Sequence, residues 1–291
     1  MAFRTVIIKN RCKLEYSLNF MIVRNEEGEK RIQINEIENL IIQSSQVSIT
    51  SSLLSYLLEN NINVMICDGK SNPIGELLSY NGIYNSREKL LEQANISKES
   101  MDKVWKEIIK KKIYYQYKNH NKYINNLEVD SLLLKYINEI EDGDITNREG
   151  HSAKIYFNSI FGKEFSRNNP CDMNTYLDYG YTIILSAFNR TIRALGYYTE
   201  LGIHHIGKTN PFNLSCDLME PIRPLIDSLV LKNELTLDNF KIKLINVLNF
   251  EVNFDGNQMY LENAIKLYVQ SVMNALINND VNKIKFIEYE L

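Results

Sequence analysis

Residues 48–68 read SITSSLLSYLLENNINVMICD, and this stretch decides what kind of domain opens the chain. Its leucines recur at helical spacing and predict one short amphipathic helix, with a shared face made of Leu53, Leu54, Leu57 and Leu58. The β-branched run INVMIC at residues 62–67 then predicts a strand. A short helix followed directly by a strand indicates a domain that mixes both elements.

The residues before this stretch extend the β pattern. TVIIKN at residues 5–10, LEYSLNFMIV at residues 14–23 and IENLIIQ at residues 37–43 each predict a strand. The polar residues 25–30 separate two of them, as the connection of a hairpin does. Asp68-Gly69 and the turn-rich KSNPIG end the last strand. Residues 1–75 are therefore predicted to form a small β-rich domain that carries one helix.

The chain changes character near residue 85. Residues 76–86 are predicted to be a linker, with a turn at Asn81-Gly82, and the longer segments that follow have helical periodicity. Few helix breakers interrupt this part, which contains Pro170, Pro211, Pro221 and Pro224. The predicted class is α+β, with residues 87–291 forming a larger all-α domain.

Composition narrows the classes of protein further. Of the 291 residues, 44% are hydrophobic and 24% are charged, which excludes wholesale disorder. No apolar run approaches the ~20 residues that span a bilayer, and the first residues do not resemble a signal peptide, so we expect a soluble cytoplasmic protein. The net charge of −3 lowers the expectation of nucleic-acid binding without excluding it, since local fields decide such contacts.

The cysteines point away from zinc and disulfide scaffolds. They are widely spaced, contain no CxxC pair, and are expected to be reduced, buried thiols: Cys12, Cys67, Cys171 and Cys216.

The first candidate for chemistry is Glu149, in the helical segment of residues 147–161. It lies four residues before Ala153 and eight before Phe157, so it shares their apolar face. An inward carboxylate is costly unless it is paired, hydrogen-bonded or bound to metal. The alternative is that Glu149 only complements the positive end of the helix dipole. His151 points about 200° away and is not expected to be a co-ligand.

Two further segments carry candidate ligands. His204 and His205 are adjacent in a loop between Gly202 and Gly207, and only one of them is expected to serve a single site. Asp217 and Glu220 share a helical face further along the chain. Two carboxylates and an imidazole from separate segments could hold Mg²⁺ or Mn²⁺. The alternatives are a structural histidine and a Glu220 that simply pairs with Arg223.

Residues 103–122 are a basic exception in an acidic chain. Trp105, Ile109, Ile113 and Tyr117 recur every four residues and predict a buried stripe, with the lysines on the exposed side. Such a surface could bind phosphate, although a merely solvated lysine face explains it equally well. The predicted DNA contacts are Lys103, Lys106, Lys110, Lys111, Arg190, Arg193 and Lys208.

Four motifs follow one another in the helical part: REGxxAxxYF at residues 148–157, NxxLxxGY at 174–181, GIHH at 202–205 and DLMEPIRP at 217–224. In this order, and after the N-terminal β pattern, they resemble the CRISPR-associated spacer-acquisition integrases, the family known as protein one of that system. The resemblance covers nearly the whole chain. The compact length and the stretch REGHSAKIYF are most similar to members from type II systems.

The resemblance implies both site and chemistry. Glu149, His205 and Glu220 fall on the family's three catalytic metal-ligand positions, with Mg²⁺ or Mn²⁺ as cofactor, and Asp217 falls on a nearby acidic position that supports the site. Many relatives have Asp where Glu220 stands, and KTNPFNLSC at residues 208–216 also departs from the family's usual pattern. The implied enzyme is an endonuclease and integrase of antiviral defence that inserts short foreign DNA into the CRISPR array by 3′-hydroxyl transesterification.

The resemblance also implies partners. It predicts a homodimer formed through the β domain, a complex with the small second adaptation protein, and DNA as both incoming spacer and repeat. The fourth adaptation protein and the effector nuclease of type II systems are further expected partners, and no membrane is involved. Two other functions stay open: a metal-dependent nuclease for branched or repair DNA, and a non-catalytic DNA-binding scaffold.

Overall fold

The computed structural model describes residues 4–68, 73–77, 79, 86–232 and 235–290. The chain forms two compact units. The first comprises Met1–Tyr84 with Arg193–Gly196, and the second comprises Asn85–Ile192 with Tyr197–Leu291. A β-rich first part and a mostly helical second part confirm the predicted α+β class. No helix among the described residues is both long and apolar enough to cross a membrane.

In the first unit, the described residues before position 80 form two sheets and one α-helix. Its described strands are β1 Arg4–Ile8, β2 Cys12–Ser17, β3 Phe20–Asn25, β4 Gly28–Gln33, β5 Ile37–Ile42, β6 Val47–Ile49, β7 Asn63–Cys67 and β8 Pro73–Leu77, and its helix is α1 Ser51–Glu59. One sheet has the order β1-β5-β7-β8, with β8 antiparallel to β7 and the other pairs parallel. The other has the order β4-β3-β2-β6, with β6 parallel to β2 and the other pairs antiparallel.

The structure of this unit confirms the predicted helix, but fewer of its leucines are buried than the sequence predicts. Thr50 starts α1, because its side chain accepts a hydrogen bond from the backbone N–H of Leu53 at 3.4 Å. Leu53 and Leu57 are fully buried, whereas Leu54 and Leu58 are only half-buried. The two buried leucines belong to a hydrophobic cluster that also contains Leu14, Met21, Ile34, Ile37, Leu40 and Val64.

One chain reversal falls where the sequence predicts a continuous strand, and another falls inside the polar stretch that the sequence predicts as a connection. The run LEYSLNFMIV is divided into β2 and β3 at Leu18 and Asn19, whose φ angles of 48° and 65° make a two-residue turn. The Asn19 side chain strengthens this turn by accepting hydrogen bonds from the hydroxyls of Tyr16 and Tyr56. The polar stretch 25–30 does contain a reversal, at Glu26 and the residue after it, but β4 already begins at residue 28.

The predicted linker is only partly within the described residues. Glu76 and Leu77 belong to strand β8, which starts at Pro73, a position where a strand tolerates proline. Residues 78 and 80–85 lie outside the described part of the chain, and so do the predicted turn at residues 81–82 and residues 69–72.

The described part of the second unit is mostly helical and contains one β-hairpin. Its described helices are α2 Ser86–Ala94, α3 Lys98–Tyr123, α4 Leu127–Glu139, α5 Arg148–Phe161, α6 Asp172–Ala194 (whose last two residues fall in the first unit), α7 Asn213–Leu218, α8 Arg223–Lys232, α9 Phe240–Leu244 and α10 Leu261–Asn278. Strands β9 Glu251–Phe254 and β10 Asn257–Tyr260 form an antiparallel hairpin around Asp255-Gly256. An all-α description of this part is therefore incomplete.

Helix α3 is the central element of the second unit, and it packs against α4, α5, α8 and α10. Trp105, Ile109 and Ile113 are buried as the spacing predicts, whereas Tyr117 is half-buried. The prediction that the lysines line the exposed side is wrong for Lys112, of which only 6% is exposed. That position places an ammonium group inside the protein.

The motif NxxLxxGY lies on α6 and fixes two contacts near the candidate site. The side-chain amide of Asn174 donates to the backbone carbonyls of Ser166 and Asn169, which holds the preceding loop against the helix. Gly180 faces Ile226 of α8, and a Cβ at this position would lie 2.6 Å from that side chain. Glycine is therefore required for α6 and α8 to approach this closely.

All four cysteines are free thiols, as expected. Cys12 and Cys67 are buried, but Cys171 is exposed and Cys216 is half-buried, so the prediction of burial holds for only two of them.

Candidate functional site

Glu149, His205 and Glu220 come from three separate segments and line one cavity of about 610 Å³ in the second unit. The sequence motifs that contain them are 56 and 15 residues apart, counted from Glu149 to His205 and from His205 to Glu220. Other residues that line this cavity are Lys112, Arg167, Tyr181, Arg223 and Asp227. The fold therefore brings the three predicted ligands to the same place.

Glu149 lies in the first turn of α5, which is held by two capping side chains. Asp144 accepts hydrogen bonds from the backbone N–H groups of Arg148 and Glu149, at 2.8 and 2.9 Å. Asn147 accepts from the N–H of Gly150, where a Cβ would lie only 2.7 Å from its Oδ1. Glu149 does more than complement the helix dipole, because its Oε1 lies 2.6 Å from Lys112 Nζ.

His205 is positioned by Asp217, whose side chain is completely buried. Asp217 accepts hydrogen bonds from the backbone N–H groups of Ile203, His204 and His205, at 2.6, 3.0 and 3.1 Å. It also lies 2.5 Å from Nδ1 of His205. Because a carboxylate that accepts these bonds has no proton to give, Nδ1 is the donor. The other ring nitrogen, Nε2, is then the one that could bind a metal.

The hydrogen bond to Asp217 raises the pKa of His205 above its ordinary value of 6.5, against the opposing effect of burial. The carboxylates of Glu220 and Glu149 raise this pKa further. The raised pKa means that the protonated ring of His205 is stabilised, whereas binding a metal requires the neutral ring.

The adjacent histidine has a different environment. The ring of His204 stacks on Trp105 with a centroid distance of 4.3 Å and an angle of 4° between the planes. His204 is exposed and does not line the cavity that contains His205. His205 meets the same Trp105 ring edge-on at 6.0 Å, so of the two neighbouring side chains only His205 reaches the cavity.

Glu220 is buried between two cations. Its Oε1 accepts a hydrogen bond from Nε of Arg223 at 2.8 Å, so the pairing predicted as the alternative is present. Its Oε2 lies 2.5 Å from Lys112 Nζ. Burial acts to raise the pKa of Glu220, but the charges of Arg223 and Lys112 outweigh it, and the pKa lies below its ordinary value. Glu220 is therefore ionised at neutral pH.

The donor set suits a hard divalent cation, since two carboxylates and one imidazole face a common cavity. Oε2 of Glu220 is buried and faces Lys112 Nζ at 2.5 Å, so a metal ion would have to take the place of that ammonium group to bind this oxygen. As they stand, however, no three His, Cys, Asp or Glu side chains of the described chain are grouped closely enough to hold an ion.

The predicted DNA contacts on α3 do not form one surface. Lys103, Lys106 and Lys110 share a side of the helix, but each is half-buried and paired with an acidic side chain: Glu99, Asp142 and Glu107 respectively. Lys111 lies in another direction, near Glu288 and the ring of Tyr115. The basic composition of this helix is thus largely balanced by neighbouring carboxylates.

The remaining predicted contacts are dispersed. Arg190 of α6 forms an ion pair with Glu262 of α10, and Arg193 falls in the first unit. Lys208 is exposed in the loop after His205 and lines a second cavity beside it. His151 is exposed near the ring of Tyr136, away from the cavity that contains Glu149.

The helical arrangement and the three motifs that meet at one cavity define a class of protein. Comparison with known proteins identifies the family. Residues 5–262 match the family described as CRISPR associated protein Cas1. The chain belongs to this family. It is 30% identical to the CRISPR-associated endonuclease Cas1 of Neisseria meningitidis serogroup C (strain 8013), covering 99% of this chain and 97% of the relative. A Cas1 endonuclease of Francisella tularensis subsp. novicida is 24% identical over 88% of each chain.

Solved structures share the fold. A casposase bound to its integration product has a TM-score of 0.76 and 19% identity, with 99% of this chain and 95% of that one covered. A CAS1 protein from Thermotoga maritima has a TM-score of 0.75 and 16% identity, with 94% and 97% covered. A chain of a Cas6-RT-Cas1–Cas2 complex has a TM-score of 0.75 and 17% identity, and 36% of it is covered.

Substituting Gly202 tests the loop that positions His205. A Cβ at this residue would lie 2.2 Å from the backbone oxygen of His205 and 2.9 Å from Asp217 Oδ2. We expect Gly202→Ala to displace the loop and to lower the free energy of unfolding by about 1–3 kcal/mol in urea denaturation. Gly207→Ala is the matched control in the same loop, since its nearest contact would be an ordinary 3.4 Å, and a similar loss there would contradict the explanation.

Titration of the histidine rings by NMR tests the pair formed by His205 and Asp217. In metal-free protein we expect a His205 pKa above 6.5, and a lower value in Asp217→Asn. Because the folded-state pKa is raised, the pair contributes stability that is fully present below about pH 6.5 and is lost as the pH rises through the folded-state value. A wild-type pKa at or below 6.5 would show that Asp217 does not act on the ring in this way.

Proposed function

We propose that this protein is a divalent-metal-dependent DNA integrase and endonuclease of CRISPR adaptation. The observation that carries the proposal is the convergence of Glu149, His205 and Glu220 on one cavity in a chain of the Cas1 family. The endonuclease names of relatives such as the Neisseria protein support a reaction at phosphodiester bonds. The fold shared with a casposase bound to its integration product is compatible with joining DNA as well as cutting it.

Glu149, His205 and Glu220 would hold Mg²⁺ or Mn²⁺, with His205 binding through Nε2. The bound ion would stabilise negative charge on phosphoryl and attacking oxygens. Asp217 would keep the ring of His205 in the correct tautomer through Nδ1. Arg223 would hold the Glu220 carboxylate in place while remaining charged, because its guanidinium stays protonated.

The proposed step conserves the number of phosphodiester bonds. The 3′-hydroxyl oxygen of the incoming DNA forms a bond to phosphorus in the repeat, and the bond from that phosphorus to its 3′ oxygen breaks. The attacking hydroxyl loses its proton to solvent, and the departing 3′ oxygen gains one. No covalent enzyme intermediate and no external energy source are needed, so the reverse reaction on branched DNA is expected too.

Assembly belongs to the same proposal. We expect a homodimer formed through the β-rich unit and a complex with the small second adaptation protein. The Cas6-RT-Cas1–Cas2 complexes among the similar folds support this partner. The DNA-contacting set remains Lys103, Lys106, Lys110, Lys111, Arg190, Arg193 and Lys208. The fourth adaptation protein and the effector nuclease remain expected partners by family resemblance.

A strand-transfer assay tests the proposal. Wild type, its small partner protein and Mn²⁺ are incubated with a short DNA duplex and a supercoiled plasmid carrying the repeat. We expect joined product from wild type and a loss of at least about 100-fold in His205→Ala, since even residues that only orient a metal ligand cost 10–100-fold. The readout is the joined product resolved by gel electrophoresis.

The matched control is His204→Phe, which removes the neighbouring imidazole but keeps an aromatic ring to stack on Trp105. We expect this variant to join DNA, with both variants showing wild-type folding and DNA binding. Equal product from wild type and His205→Ala would refute the ligand assignment. Nicks without joined product would favour a nuclease, and DNA binding without either product would favour a scaffold.

A further inference from the structure

Lys112 has no role in the proposed chemistry, yet it is the most deeply placed cation of the site. It lies on the buried side of α3 between Ile108, Ile109 and Gln116, and only 8% of its side chain is exposed. Burying an ammonium group is costly unless it is paired. Burial does lower the pKa of Lys112, but the carboxylates of Glu220 and Glu149 more than offset it. The group is therefore charged at neutral pH.

The partners of this ammonium are two of the three candidate metal ligands. Lys112 Nζ lies 2.6 Å from Glu149 Oε1 and 2.5 Å from Glu220 Oε2. Glu149 lies in the first turn of α5, whereas Glu220 lies in a tight turn before α8, so a single ammonium joins two separate segments. Without a cation between them, the two carboxylate groups would repel each other.

We propose that Lys112 is a positioning residue that acts as a built-in counter-ion: it holds Glu149 and Glu220 together before metal binds, and a divalent cation displaces its ammonium from between them. The inference rests on the proposed metal site. It explains why the candidate ligands line one cavity without forming a ligand group among the described residues. Metal affinity is then set by a competition between an ion and a fixed side chain.

Replacing Lys112 by methionine tests this competition, because methionine has similar length and no charge. Isothermal titration with Mn²⁺ alone, on the chelator-treated full chain, measures the affinity. We expect Lys112→Met to bind Mn²⁺ at least about fivefold more tightly than wild type, since the ion no longer displaces or faces an ammonium. We also expect a lower melting temperature without Mn²⁺ and a larger increase when Mn²⁺ is added.

The matched control is Lys98→Met on the same helix. This change removes the same charge from an ion pair with Asp102, but the lysine side chain is 74% exposed and does not line the cavity. We expect its Mn²⁺ affinity to equal that of wild type. A purely structural role of Lys112 would lower the melting temperature without tightening Mn²⁺ binding.

Lys112→Gln is a second variant, which removes the charge but keeps hydrogen-bond donors and therefore perturbs folding less. Unchanged or weaker Mn²⁺ binding in the folded variants would overturn the role of Lys112 and leave the metal site intact. If neither variant folds even in Mn²⁺, the role is also overturned, because the ion should replace the missing charge. Absence of Mn²⁺ binding by wild type would overturn the metal site itself, and the role of Lys112 with it.

Discussion

The buried carboxylate of Asp217 is the constraint on which the candidate site depends. It lies in α7 and gathers three consecutive backbone N–H groups and one imidazole from the loop at residues 203–205. Because a buried carboxylate is unfavourable without such partners, the loop and the helix stabilise each other. The close approach requires a residue without a side chain at Gly202. The GIHH and DLMEPIRP motifs are thus joined by direct hydrogen bonds in the fold.

Periodicity predicts the long helices and the helix α1 well, because each buries a stripe of regularly spaced apolar residues. It does not predict the turn at Leu18 and Asn19, since an exposed leucine with positive φ has no local sequence signal. The sequence does not predict the hairpin β9–β10 for a different reason. Its Asp255-Gly256 reversal is a recognisable turn signal, but the flanking strands have only four residues each.

The candidate site, like the fold, is only partly predictable from the sequence. Motif resemblance names Glu149, His205 and Glu220, and the alternative pairing of Glu220 with Arg223 follows from their spacing and is present as well. Composition does not reveal the importance of Lys112, because it counts all lysines alike. Its spacing does carry the signal, because Lys112 follows Ile108 by four residues and Ile109 by three, on the buried side of α3. Composition alone cannot separate one buried lysine from its exposed neighbours.

Charge balance connects this lysine with the substrate. Among the described residues that line the cavity, Lys112, Arg167 and Arg223 oppose Glu149, Glu220 and Asp227. Burial raises the pKa of Asp227 to about 6, so it too is mostly ionised at neutral pH. When His205 is in the neutral form that metal binding requires, these six charges cancel, and a cavity without net charge has little attraction for a phosphodiester. A bound divalent cation would add two positive charges, so we expect metal binding and phosphate binding at this cavity to strengthen each other.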